Sequence, residues 1–184
     1  MNIALRRALT VEDYIAWAQV QAEGGRTELI NGQIVTMSPE QVLHNRVKGS
    51  VYFALRRAVT DSGLEAEVFT DGVTIPIDSH TAYEPDASVR TGPRVSGREM
   101  RIPDPVIVVE VLSPSSRHMD TSAKLIGYFR IASVQHYLVI DPDGRTVTHH
   151  SRGTDGTVAS ATIASGALQL DPPGLTVALR DLFG

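Results

Sequence analysis

The stretch "VIVVEVLSPSSR", residues 106–117, sets one glutamate, Glu110, among six apolar residues that read as a buried strand. Side chains alternate across a strand, so Val108, Glu110 and Leu112 share one face while Ile107, Val109 and Val111 share the other. Both faces are apolar ahead of Glu110, which is the pattern of a central strand. An ionised carboxylate in such a place costs several kcal/mol unless something compensates it. A proton, a Lys or Arg partner, or a bound metal would each serve.

A second stretch, "YEPDASV", residues 83–89, carries a similar acid. Asp86 follows Pro85, a residue suited to strand starts and edges, in a strand expected over 83–90. If the two strands are neighbours, Asp86 and Glu110 aim at a common point, where two carboxylates repel unless a proton or divalent cation lies between them. Taken singly, each acid reads as readily as a surface-paired Glu or a turn-capping Asp. Together they predict a site for a hard ion, Mg²⁺ or Mn²⁺.

Composition agrees with that chemistry and narrows it. The 184 residues suffice for one sizeable core, so we expect a single domain over residues 1–184. There is no cysteine, which excludes disulfides and thiolate metal sites. The net charge of -4 and pI near 5.8 lack the basic surplus common in nucleic-acid binders, although local patches decide binding. No apolar run approaches a membrane span, and "MNIALRRALTVEDY" has no apolar segment of leader type, so a cytoplasmic chain is expected.

Around the two stretches the elements follow from pattern. Thr10 opens a T-x-x-D capped helix, "TVEDYIAWAQVQ", that should end by Gly24-Gly25. "TELINGQIVTM" reads as a hairpin turning at Asn31-Gly32. In "SPEQ", Ser38, Pro39 and Gln41 read as the cap, first position and box of a second helix. That helix carries Leu43, Val47, Val51, Ala54, Leu55 and Ala58 on its apolar face and stops near Ser62-Gly63. Strands are expected over 64–69, 73–77 and 105–112, and "HYLVID" is another buried strand. A third helix should run from an Asp120 cap to Ala132, with Lys124 and Tyr128 on one face and Leu125, Phe129 and Ala132 facing the core. Turns at DPDG, RGTDG and DPPG make the tail a β meander. His149 and His150 alternate faces there, so they cannot share one metal. The fold class is α/β or α+β, with a central mixed sheet flanked by helices.

The order "PD", then "EVLSPSS", then R-x-x-D-x-x-x-K-x-x-x-Y from Arg117 to Tyr128, then an apolar strand ending in "DP", resembles the Uma-two family. That family consists of restriction-endonuclease-like proteins within the PD-(D/E)XK nuclease superfamily. "ELINGQIVTMSP" and the helix bearing His44 extend the likeness across about residues 10–145. The resemblance implies a restriction-endonuclease-like core with metal-binding acids on adjacent strands. It makes Asp86 the aspartate of "PD" and Glu110 the second carboxylate. The superfamily's usual lysine position is Leu112 here, and the resemblance assigns its work to Lys124 on the following helix.

The expectation that results is a metal-dependent DNA endonuclease. Mg²⁺ or Mn²⁺ would be held by Asp86, Glu110 and a carbonyl such as that of Val111, and would lower the pKa of a water. Lys124 would orient that water or stabilise charge on phosphate, with Glu28 an outer ligand and His44 a ligand or proton relay. His44, Lys48 and Tyr52 also read as a plain polar stripe. Arg90, Arg94, Arg98 and Arg101 are the expected DNA phosphate contacts, although an arginine-bearing loop is as readily a solvated one. A symmetric double-strand cut would ask for a homodimer. Two alternatives stand: an inactive binding or assembly module of the same fold, and a metal-dependent hydrolase of RNA or another phosphoester.

Overall fold

The computed structural model describes residues 7–21, 25–113 and 121–184. Along the chain run α1 (Val11–Val20), β1 (Thr27–Ile30), β2 (Gln33–Thr36), α2 (Val42–Ser62), β3 (Ala66–Thr70), β4 (Ile75–Asp78), β5 (Thr81–Tyr83) and β6 (Ala87–Thr91). β7 (Pro105–Val111), α3 (Thr121–Arg130), β8 (His136–Asp141), β9 (Thr146–Arg152), β10 (Val158–Ile163), β11 (Ala167–Leu170) and β12 (Leu175–Ala178) complete it, before a 3₁₀ turn at Leu179–Leu182.

A six-stranded mixed sheet in the order β10-β9-β8-β7-β6-β3 forms the centre. Its β7 and β8 are parallel and joined through α3, while its other neighbours are antiparallel. The expected central strand is indeed internal. Val106, Ile107, Val109 and Val111 enter one core with α2, β6, β8 and the β11–β12 hairpin, whereas Val108 joins another beside Tyr83, Tyr128 and Tyr137. A second, four-stranded sheet, β2-β1-β5-β4, packs α1 through Val11, Tyr14, Leu29 and Ala82. The tail meander is present: β9 and β10 extend the main sheet and β11 and β12 pair separately.

Local chemistry accounts for most boundaries. Thr10 and Asp13 exchange the reciprocal bonds of a capping box at α1, and Gly63 closes α2 in the left-handed region at φ 68°. The expected Ser38 cap is not formed. α2 begins at Val42 with Gln41 at the cap position and no side-chain cap bond. Ser38 precedes a proline, which disfavours helix at that residue, and Glu40 is drawn away into ion pairs. Leu43 is 42% exposed rather than in the apolar face, where His44 and Lys48 lie buried instead. α3 ends at Arg130, leaving Ala132 exposed, and its most buried face is that of Gly127 and Tyr128, with Leu125 and Phe129 flanking. The expected Asp120 cap lies outside the described residues.

The correction that matters most concerns residues 83–90. They form two strands in two sheets, β5 ending at Tyr83 and β6 starting at Ala87. Pro85 has no N–H to give a ladder, and the amides on either side turn elsewhere. Glu84 N–H donates to Glu28 Oε1 at 3.0 Å, and Asp86 N–H donates to the Val109 carbonyl at 3.0 Å. The Glu84-Pro85-Asp86 corner therefore joins the two sheets, and the acids gather at that joint.

Candidate active site

Register sets the first two acids side by side. Ala87 faces Val109 across the antiparallel β6–β7 pair, which brings Asp86 opposite Glu110 one step further along. The Val111 amide donates to Asp86 Oδ2 at 2.8 Å, fixing the carboxylate against the end of β7. Asp86 is 4% exposed. Its Oδ1 faces cations: Arg26 Nη2 at 3.2 Å, Lys48 Nζ at 3.4 Å and His44 Nε2 at 3.5 Å. Burial pushes this carboxyl up, but His44, the Val111 N–H and Lys48 outweigh burial and hold it below the ordinary aspartate range.

Glu110 has different company. Lys124 Nζ, delivered by α3, lies 2.8 Å from its Oε1 and 2.9 Å from Glu28 Oε1 on β1. The Tyr128 hydroxyl, one turn after Lys124, donates to the same Glu110 oxygen at 2.7 Å. Burial pushes Glu110 up to about 7, with Asp86 and Glu28 adding repulsion that Lys124 only partly offsets. Burial would lower Lys124, but Glu110 and Glu28 hold it above its ordinary value. It is a permanent cation at neutral pH. The Tyr128 hydroxyl is raised well above its usual range by burial and then by Glu110, so it stays protonated and serves as a donor.

Between the sheets and α2 lies a third group that the sequence reading did not assemble. Arg26, just before β1, touches Glu40 through Nη1 and lies 3.3 Å from Asp71 Oδ2 through Nε. Lys48 Nζ reaches Glu40 Oε1 at 2.7 Å and Asp71 Oδ2 at 2.6 Å. His44 Nε2 stands 3.5 Å from Asp86 Oδ1 and 3.6 Å from Glu40 Oε1, yet neither ring nitrogen of this buried imidazole makes a hydrogen bond. Burial lowers the basicity of His44, and Asp86 and Glu40 raise it further than burial lowers it. One signal was legible. Glu40, His44 and Lys48 recur at intervals of four, which puts them on one side of α2 and its entry.

Asp86, Glu110, Lys124, Glu28, His44 and Val111 thus converge on one end of the β6–β7 pair. The four arginines do not join them. Arg90 lies toward the other end of β6, at roughly 3.3 Å per residue about 13 Å along the strand from Asp86, and donates to the Pro93 carbonyl. Arg94 and Arg98 are exposed on the following loop, and Arg101 pairs with Glu12 of α1 at 3.6 Å. The loop leaves the sheet where β6 ends, away from the acids. Among the described residues, the lysines and arginines beside the acids are Arg26, Lys48 and Lys124.

The donor set suits a divalent cation. Glu40, His44 and Asp86 each offer a ligand atom, all within 4.8 Å of one another. An imidazole buried with both nitrogens unbonded has coordination to spare. Among the described residues, six carboxylates, Glu28, Glu40, Asp71, Glu84, Asp86 and Glu110, share the joint with the permanent cations Arg26, Lys48 and Lys124.

The six-stranded mixed sheet, with its parallel β7–β8 pair joined through α3, matches a nuclease fold. The chain belongs to the Uma2 family, described as "Putative restriction endonuclease", whose sequence profile matches residues 11–180. Two relatives from Synechocystis are similar along most of their length. The uncharacterized protein slr1290 is 29% identical over 177 residues, covering 95% of this chain and 91% of that protein. The uncharacterized protein sll1609 is 27% identical over 158 residues, covering 84% and 87%. A crystal structure titled as a "putative nuclease belonging to DUF820" from Anabaena variabilis superposes with a TM-score of 0.72 at 18% identity, covering 95% of this chain and 97% of the other. At that identity the likeness establishes the fold.

Proposed function

We propose that the chain is a metal-dependent DNA endonuclease that hydrolyses phosphodiester bonds at the joint between the two sheets. One observation carries this reading. Lys124 reaches the largely covered Glu110 at 2.8 Å from the crossover helix, beside the Asp86 carboxylate fixed by the Val111 amide. A lysine thereby stands next to the second acid even though Leu112 occupies its usual position.

Asp86, with Glu110, His44, Glu40 and the Val111 carbonyl, would hold Mg²⁺ or Mn²⁺, which supplies a Lewis acid for the phosphate and acidifies water. The chain's own groups would do the rest. Lys124, cationic at neutral pH, stabilises negative charge growing on the phosphate oxygens. Tyr128 holds Glu110 in orientation, and Glu28 holds Lys124 over the site while tying the Glu84-Pro85-Asp86 corner in place. His44 is able to coordinate or to pass a proton, since its ring nitrogens are uncommitted. Arg90, Arg94, Arg98 and Arg101 would touch only phosphates remote from the scissile one.

Nicking of supercoiled plasmid in Mg²⁺ or Mn²⁺ tests the reading, with Asp86→Ala, Glu110→Gln and Lys124→Met expected to lose it. Calorimetric Mn²⁺ titration should show binding that Asp86→Ala abolishes. Wild-type protein that neither binds Mn²⁺ nor nicks would leave an inactive module with a vestigial charge cluster. Cleavage of RNA in preference to DNA would move the substrate class and keep the chemistry.

A further inference from the structure

The Asp86 carboxylate is crowded by cations as it stands. Its Oδ2 accepts from the Val111 amide at 2.8 Å. Its Oδ1 is crowded by Arg26 at 3.2 Å, Lys48 at 3.4 Å and His44 at 3.5 Å. Glu40 Oε1 is engaged by the same Arg26 and Lys48. Two of the three groups able to close on an ion are therefore already met by monovalent cations. A divalent ion can join Asp86 and Glu40 only if one of those cations withdraws, because like charges that close repel strongly.

The two cations are seated differently. The Lys48 side chain is 8% exposed, fixed on α2 one turn past His44, with short contacts to Glu40 and Asp71. The Arg26 side chain is 24% exposed and hangs from the irregular segment before β1. Its Nε is buried without a hydrogen bond, although Asp71 lies 3.3 Å away. Arg26 is the more accessible of the pair, although its Nη atoms also donate to Glu40, Asp86 and the Glu84 carbonyl. Its planar fork also matches a phosphate in a way that an ammonium does not.

We propose that Arg26 is an exchangeable counter-ion that seals Glu40 and Asp86 in the metal-free protein, yields to a divalent cation, and then contacts a phosphate of the nucleic acid. The proposal rests on the nuclease reading above and adds a residue with two alternating partners. Charge bookkeeping gives the order of events. When a divalent ion replaces one guanidinium, the acids are neutralised more fully, and the released positive charge lies at the mouth of the site. Metal entry and phosphate capture then favour each other through one side chain, as reciprocal linkage requires.

Mn²⁺ titration by calorimetry on the full chain, comparing wild type, Arg26→Gln and Arg26→Lys, tests the exchange. Arg26→Gln should bind Mn²⁺ about tenfold more tightly than wild type, since a competing charge is gone. With Ca²⁺ in place of Mn²⁺, its affinity for a short DNA duplex should fall about tenfold, and Arg26→Lys should lie between. A thermal melt checks folding. The metal-free Arg26→Gln protein should melt below wild type, and saturating Mn²⁺ should close the gap. If Arg26→Gln binds Mn²⁺ no more tightly, or more weakly, while wild type binds it, Arg26 is a fixed part of the framework and the exchange is wrong. If wild type itself fails to bind Mn²⁺, the nuclease reading falls and takes this inference with it.

Discussion

Asp86, just before β6, and Glu110, on the adjoining β7, share one joint at 4% and 13% side-chain exposure, and they carry opposite electrostatic fates. Asp86 is held below the ordinary range and Glu110 is pushed up to about 7. Burial acts on both, so burial does not separate them. The donors do. Asp86 accepts a backbone N–H and faces Arg26, Lys48 and His44, whereas Glu110, among the described residues, shares the cation Lys124 with Glu28. A buried carboxylate is as charged as its neighbours allow, and two positions in register can be set to different protonation states by the loops and helices around them.

Removing each acid should expose that difference most strongly. Asp86→Ala leaves Arg26 and Lys48 short of an acceptor and strips the Val111 amide of its partner; we expect a loss of about 3 kcal/mol at pH 7 by urea unfolding. Glu110→Gln should cost less than about 1 kcal/mol at pH 5 and stabilise the protein at pH 8. The sign follows from linkage. A carboxyl whose folded pKa is raised from 4.5 to about 7 binds its proton more tightly in the native state, so stability falls as pH climbs through that window. Asp86 works the other way, contributing stability above 3.8 that is lost as pH falls through its depressed folded value. Equal losses from the two substitutions, with no crossing in pH, would break the comparison.

Lys124 sharpens it. Lys124→Met leaves Glu28 and Glu110 close together without their cation, at a cost of about 2 kcal/mol at pH 8. At pH 6 Glu110 takes up a proton and the cost should shrink. The Lys124→Met/Glu110→Gln double variant should lose less than the sum of its parts, because the two residues are in direct contact.

The same donor rule is testable far from the acids. His136, buried on β8, has Nε2 2.8 Å from the Pro172 carbonyl and Nδ1 2.9 Å from His149 Nε2, so one proton lies between the two rings and both cannot be protonated together. Burial lowers both, and His149 falls from 6.5 to about 4 with further repulsion from His136. The unfolded chain then holds more protons between those values, so this pair's own contribution should fall by about 1 kcal/mol as pH drops from 6.5 to 5, opposing the gain that Glu110 makes over the same range. His149→Gln should therefore make the protein gain more stability on acidification through that range than wild type does.

Periodicity made the scaffold legible. The apolar runs of β7 and β8, the stripe of α2 and the Asn31-Gly32 hairpin are repeats that burial imposes on sequence. The acids Asp86 and Glu110 stood out because they interrupt or adjoin such repeats, whereas Glu28 was reached only through the family resemblance. Arg26 and Asp71 did not stand out. They come from a pre-strand segment and a turn, where charged residues are ordinary and no period marks which way they face, and Glu40 was marked only by its four-residue spacing from His44 and Lys48. The Glu84-Pro85-Asp86 corner was hidden for a related reason: one proline in an apolar run looks like a strand start, and only the pairing of Leu29 with Ala82 shows that the chain has changed sheets.

The smallest effect belongs to the arginine loop. Arg94 and Arg98 are exposed, pair with no acid of the site and leave the sheet at the end of β6 remote from Asp86. If they meet DNA at all, they do so through phosphates that a long duplex lays over that surface. Arg94→Ala/Arg98→Ala should then weaken duplex binding uniformly across sequences and reduce the salt slope by about one per lost contact. Mn²⁺ affinity and the cleavage rate at saturating DNA should stay within about twofold of wild type. A loss of metal binding in that variant would mean that the loop folds back onto the acids, and the division between a catalytic end and an arginine end of β6 would have to be abandoned.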